Sequence, residues 1–180
     1  MATPTTLPAA FVANTVLTAD QMNNLRGAFR TLQVVSTSKT DTFSSATTGA
    51  WTDITGMTVS VTPSAATNKV FITAAVMASG VTAGTASRYI RLVRDSTAIA
   101  VGDTAGSRIS ATITSVTTAD SPNSMVINFL DSPATTSATT YKLQFFADAS
   151  TFYLNRSPSD PNGTNGGRFQ SSITVMEISA

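Results

Sequence analysis

From Gln33 onward the chain alternates apolar and small polar side chains with a period of two, in one segment after another. In an extended strand successive side chains point to opposite faces, so this period commits the chain to β-structure with one face buried. The run "MTVSVTP" sets Met57, Val59 and Val61 on one face and Thr58, Ser60 and Thr62 on the other. "KVFITAAVMA" is apolar on both faces, the pattern of a central strand covered twice. "RYIRLVR" alternates, with Ile90 and Leu92 inward if Arg91 faces water. "SRISATITSVT", "SMVINFL", "YKLQFFADA", "TFYLN" and "SSITVMEIS" complete the set of predicted strands. Turn-forming clusters separate them at Thr62-Pro63-Ser64, Arg94-Asp95-Ser96, Ser121-Pro122-Asn123 and Asp131-Ser132-Pro133. Eight to ten short strands and no internal repeat predict an all-β fold, a jelly-roll-like antiparallel β-sandwich.

The residues before Gln33 behave differently. "MATPTTLPAAF" holds two prolines and no period, and reads as an extended arm or a disordered tail. "LTADQMNNLRGAFRTLQ" then carries the signals of one short α-helix. Thr18 and Gln21 form an S/T-x-x-E/Q capping box, and Asp20 and Arg30 match the helix dipole at its two ends. Met22, Leu25, Phe29 and Leu32 follow the three-four-three spacing of a coiled-coil seam. A helix of roughly fourteen residues is marginal alone in water, so the seam needs a partner. That partner is either the chain's own sheet or another protein surface, including sister copies. The predicted organisation is an arm and helix over 1–32 for attachment and oligomerisation, and a sandwich head over 33–180.

Composition narrows the function. With 11 basic and 10 acidic residues the net charge is +1, and no basic run occurs, which argues against nucleic acid and against anionic membrane surfaces as partners. No 18-residue apolar run and no secretory h-region occur, so membrane insertion is not expected. Cysteine and histidine are both absent, which removes thiol and Ser-His-Asp nucleophiles and thiolate zinc sites. The carboxylates fall mostly in turns with no pairing, so no enzymatic activity, cofactor or metal is expected. Charged residues make up only 12% of the chain, and a surface so poor in charge suits incorporation into an assembly.

Three features stand out as candidate contacts. "SPSDPNGTNGG", Ser157 to Gly167, must lie on the surface, and Asp160, Asn162 and Asn165 offer hard oxygens without the terminal acidic residue of a calcium loop. Tyr153 and Arg156 flank it as an aromatic–arginine pair able to meet a sugar face or a subunit. Glu177 sits in the apolar "ITVMEIS" and is expected either to face solvent or to pair with an arginine such as Arg88 or Arg91.

"VLTADQMNNLR" resembles the short N-terminal segment of tail-fibre and minor structural proteins of tailed bacteriophages. "RLVRDSTAIAVGDTAGSR", "FLDSPATTSATTYKLQ", "YLNRS" and "SSITVMEIS" resemble a β domain of marine and cyanobacterial phage virion proteins, so the likeness runs from about Val16 to Ser179. The resemblance implies a trimeric jelly-roll head similar in plan to tumour-necrosis-factor-like heads. It also implies attachment to other virion proteins through the N-terminal arm, residence in the virion after assembly in the host cytoplasm, and display of a head able to meet a host surface glycan. A tail fibre or appendage, a capsid decoration or head fibre, and a carbohydrate-binding module are the competing roles. The absence of shaft repeats favours a knob, adaptor or decoration over a long fibre.

Overall fold

The computed structural model describes residues 31–80, 87–115 and 122–180, together with Val16 and Ala19 as single positions. Met22, Leu25 and Phe29 of the expected seam lie outside the described residues. Ala19 has helical backbone geometry. Leu32 does not close a helical seam: the chain is already extended at Thr31, two residues before the expected boundary, and Leu32 belongs to the first strand.

Eleven strands are described: β1 (Thr31–Lys39), β2 (Phe43–Ser45), β3 (Thr52–Val61), β4 (Lys69–Ser79), β5 (Arg88–Arg94), β6 (Thr97–Ile99), β7 (Ile113–Ser115), β8 (Asn123–Asp131), β9 (Thr139–Ala147), β10 (Phe152–Leu154) and β11 (Ser171–Ile178). Three of the short ones, β2, β6 and β10, extend sheet edges. The other eight pair antiparallel, first with last: β1 with β11, β3 with β9, β4 with β8 and β5 with β7. That nesting is what results when one long antiparallel ribbon is folded over and rolled up, and it defines a jelly roll. The rolled ribbon gives one sheet in the order β1-β11-β4-β8, with β10 and β2 attached at β4, and a second in the order β3-β9-β5, with β6 and β7 on β5.

Alternation decides which side chains meet between the sheets. Val70, Ile72, Ala74, Val76 and Ala78 of β4 point inward, as do Ile173 and Val175 of β11 and Tyr141, Leu143 and Phe145 of β9. Met57, Val59 and Val61 are buried from β3, and Ile90 and Leu92 from β5, as the sequence pattern predicts. Phe145 stacks on Phe152 with centroids 4.6 Å apart, and Phe43 meets both rings edge-on. "SRISATITSVT" departs from its expected strand. Among its described residues only Ile113–Ser115 pairs with β5, while the residues before them form a loop closed by its own hydrogen bonds.

Polar groups close the core at both ends. At one end a row runs across the first sheet, Gln33 to Glu177 to Val70 to Asp131, all facing inward. Asp131 accepts both an Arg94 ion pair at 2.8 Å and the Tyr141 hydroxyl at 2.7 Å. Burial, with the carboxylate beside it, pushes the Tyr141 phenol far above its ordinary pKa. The proton therefore stays and the bond holds at any working pH. Because Asp131 belongs to one sheet and Arg94 and Tyr141 to the other, this cluster ties the two layers. At the opposite end Asn155, held at a left-handed φ of 62°, donates to the carbonyls of Lys39 and Asp41 and accepts from Ser171. Arg88, fully buried there, donates to the Thr151 carbonyl.

Two substitutions check this packing. Ile72→Ala leaves a cavity on the inward face of β4, where Ile72 is fully buried, and is expected to cost about 2–5 kcal/mol in chemical denaturation. Tyr141→Phe keeps the ring but strips Asp131 of a buried donor, with an expected loss of about 1–3 kcal/mol.

Candidate functional site

The two sheets present unlike outer faces, and the difference begins in β4. Its outward residues Phe71 and Met77 are only half-buried, and Ala75 is exposed. The expected second cover over this strand is therefore not formed by the described residues. Register carries the pattern sideways. Val34 pairs with Met176, Met176 with Phe71, and Phe71 with Leu130, so four apolar side chains form a continuous row across β1, β11, β4 and β8. Leu32 and Ile178 widen the row at one edge. Val34 is 56% exposed, Leu130 55% and Leu32 43%, and Val126, also on β8, 56%. The next row, Ser36, Thr174, Thr73 and Asn128, is neutral and polar. Lys69 is the one charged residue among the outward positions of these four strands. Contiguous exposed apolar surface free of charge marks contact with another surface.

The outer face of the second sheet is charged and internally satisfied. Arg91 stacks over Trp51 at 4.2 Å and donates to Gln144, and Gln144 donates to Asp53, which also pairs with Lys142 at 2.8 Å. The Lys142 hydrogen bond, aided by Gln144, lowers the Asp53 pKa and keeps it ionised. Trp51, Phe146 and Tyr89 lie in a line along this face.

The loop singled out in the sequence is built differently from an ion cradle. Asp160 adopts a φ of 48° and its carboxylate is held between Arg156, at 3.2 Å, and Arg168. Two guanidiniums occupy the oxygens that a cation would need. Asn162 and Asn165 are exposed and take no part in that clamp. Among the described residues no group of three or more acidic, histidine or cysteine side chains converges as a metal site. Arg156 also lies over the Tyr153 ring at 4.6 Å, so the ring face proposed for sugar contact is already covered. The clamp pins the base of the loop and leaves Asn162 to Asn165 as its tip. The backbone is tight there, since a Cβ on Gly166 would fall 2.0 Å from the Pro161 carbonyl oxygen.

Glu177 neither faces solvent nor meets an arginine. It is fully buried on the inward side of β11 and accepts four hydrogen bonds: Gln33 Nε2 at 2.5 Å, Asn68 Nδ2 at 2.6 Å, and the Ser64 amide and hydroxyl at 2.7 and 2.8 Å. The sequence pointed to the oddity but not to the partners, because neutral donors from a distant turn leave no charge pattern to read. Burial alone would raise its pKa. The hydrogen bonds outweigh burial and hold it down to about 2. The node joins β1, the β3–β4 turn and β11 at the edge of the apolar row.

No family model and no curated protein matches the chain. Among solved structures, one titled "Structure of infectious bursal disease virus Gx strain" aligns with a TM-score of 0.37 and 16% identity, over 81% of this chain. The chain spans 41% of that protein's length. Among the described residues no helix is long and apolar enough to cross a membrane.

The depressed pKa of Glu177 sets a pH dependence of stability. Its contribution is complete above the ordinary glutamate value, near 4.5, and is lost as pH falls toward about 2. The shift corresponds to at most about 3 kcal/mol. Denaturation midpoints are expected to fall steeply between those two pH values in the native protein. In Glu177→Gln they should fall less steeply and start from a lower stability at neutral pH.

Proposed function

We propose that the chain is a non-enzymatic structural protein of a tailed-phage virion, a homotrimer whose copies meet through the outer face of the β1-β11-β4-β8 sheet. The supporting observation is the contrast between the two outer faces: one apolar and nearly free of charge, the other charged and satisfied within itself. Strands about nine residues long and four abreast make a face of roughly 15 by 30 Å. Such a patch, about 450 Å², is roughly half of the ~800 Å² that one partner contributes to a standard protein interface, so the N-terminal segment would have to supply part of the contact. The chain before Thr31 continues in sequence into β1, whose Leu32 and Val34 begin the apolar row, so an attaching N-terminal segment would be joined to the strand that starts the contact face.

In this reading the N-terminal segment fastens the protein to other virion components, and the charged sheet and the loops face outward as a tail-fibre or appendage head. The similarity of "VLTADQMNNLR" and "SSITVMEIS" to phage virion proteins supplies the virion context. Capsid decoration is the second reading, since an apolar face nearly free of charge suits packing on a capsid surface as well as on sister copies. Copy number per particle separates the two, since a decoration protein is present in far more copies than a tail appendage.

Sedimentation equilibrium of the full chain is expected to return three times the 18.6 kDa chain mass. Val34→Asp and Leu130→Asp place charges at the two most exposed positions of the apolar row, one at each end, and should return the single-chain mass with an unchanged β-rich circular dichroism spectrum. A native protein that sediments as a monomer at all concentrations would refute the assembly.

A further inference from the structure

We propose that the pocket between Tyr89 and the 102–111 loop is a binding site for a neutral saccharide. The site has a volume of about 360 Å³, at the lower end of the ~300–1,000 Å³ range of small-ligand sites and room for about one or two pyranose rings. Its floor is Tyr89 of β5 with Ile113 and Thr114 of β7, paired in register, and its wall is the loop carrying Asp103 and Arg108.

The loop is preformed. Gly102 N donates to the Ala111 carbonyl at 3.2 Å, Ser110 Oγ donates to the Asp103 carbonyl at 3.1 Å, and a turn closes from Arg108 N to Ala105 O, with Gly106 at a φ of 61°. Its exit is stitched to β5 by Thr112 N on the Ile90 carbonyl and Leu92 N on Thr112 Oγ1, each at 3.0 Å. A cavity walled by a loop that satisfies its own backbone loses little entropy when a ligand enters.

The unused chemistry selects the ligand. The Asp103 carboxylate and the Tyr89 hydroxyl have no partner among the described residues, and the Arg108 guanidinium spends one donor on the Ala105 carbonyl, at 3.3 Å. An acceptor-only carboxylate and a donor-only guanidinium lining the same pocket match the hydroxyls of a sugar, which donate and accept. The Tyr89 ring, braced by Phe146 at 6.3 Å, supplies apolar surface for the C–H face of a sugar ring. A phosphate or other anion is disfavoured because Asp103 offsets Arg108, and a divalent cation because the pocket has one carboxylate. This site lies on the charged sheet, away from the apolar face, and does not depend on the assembly reading.

The test is an array of immobilised neutral and acidic oligosaccharides probed with the full chain, followed by calorimetric titration of the strongest neutral ligand. Asp103→Asn and Arg108→Gln, both on exposed loop positions, are each expected to weaken binding at least tenfold, and Tyr89→Phe by a smaller factor. Asp160→Asn, on the other loop, should leave affinity unchanged, and sedimentation should match the native protein in every pocket variant. The proposal is overturned if no neutral oligosaccharide binds. It is equally overturned if Asp103→Asn and Arg108→Gln bind like the native chain, or if only acidic sugars bind and Asp103→Asn strengthens them.

Discussion

A β-sheet has two faces, and the β1-β11-β4-β8 sheet carries apolar side chains on both. Only the inner one is consumed by folding, where Val70, Ile72, Ile173, Val175 and Ile127 meet the opposing sheet. The outer row from Val34 to Leu130 stays in place with no described residue above it. Removing such a row from water is worth roughly 25 cal/mol per Å² of apolar surface, so covering it releases several kcal/mol that the isolated head leaves unrealised. The opposite sheet shows that the chain has another solution available. There, Arg91, Gln144, Asp53 and Lys142 occupy equivalent outward positions and satisfy one another in water. The two outer faces therefore follow different rules within one small domain, and it is this difference on which the proposed assembly rests.

The jelly roll also has open ends, and hydrophobic side chains cannot close them without exposing apolar surface to solvent. Buried polar clusters close them here. At one end Asp131 draws Arg94 and Tyr141 from the second sheet, and Glu177 gathers Gln33, Ser64 and Asn68. At the other, Asn155 binds the backbone after β1 and the start of β11. Each cluster joins elements remote in sequence, so each is a long-range constraint that forms only when the ribbon is fully rolled. With every carboxylate oxygen supplied with donors, the desolvation cost of burial is offset, and the ends become rigid.

Much of this was legible from alternation alone. The period-two runs located β3, β4, β5, β8, β9, β10 and β11, and the turn clusters located most of the breaks, because each strand has one solvated and one buried face. Legibility failed where burial and alternation part company. "SRISATITSVT" alternates, yet of its described residues only Ile113–Ser115 find a partner strand and those before them form a loop. "KVFITAAVMA" announced two apolar faces, and the structure supplies a cover for one. Glu177 and Asp160 were conspicuous in the sequence, yet their partners were not. Asp160 is held by Arg156 and Arg168 on either side of its loop, and Glu177 by donors brought near only by the fold. The pocket at Tyr89 left no motif, because Asp103 and Arg108 are ordinary loop residues until the chain curls them over β5.

The two rows at the Glu177 end explain one another. Gln33, Glu177, Val70 and Asp131 point inward, while their sequence neighbours Val34, Met176, Phe71 and Leu130 point outward. Hydrophobicity by itself would not orient β1 this way. Leu32 and Val34 lie on its exposed side with Ser36 and Ser38, while on its inner side Val35 is the one apolar residue beside Gln33, Thr37 and Lys39. A slip of one residue would turn Val34 into the core and take Gln33 away from Glu177, leaving a buried carboxylate short of a donor. The same slip would draw Lys39 off the inward position where its side chain packs against Gly56 and reaches Asp41 at 2.7 Å. Polar bonds inside the sandwich thus hold an apolar edge outside it, against the direction that burial alone would choose. Internal hydrogen bonds fix which side of β1 faces the core, and the exposure of Leu32 and Val34 follows from them rather than from any preference of those side chains for water.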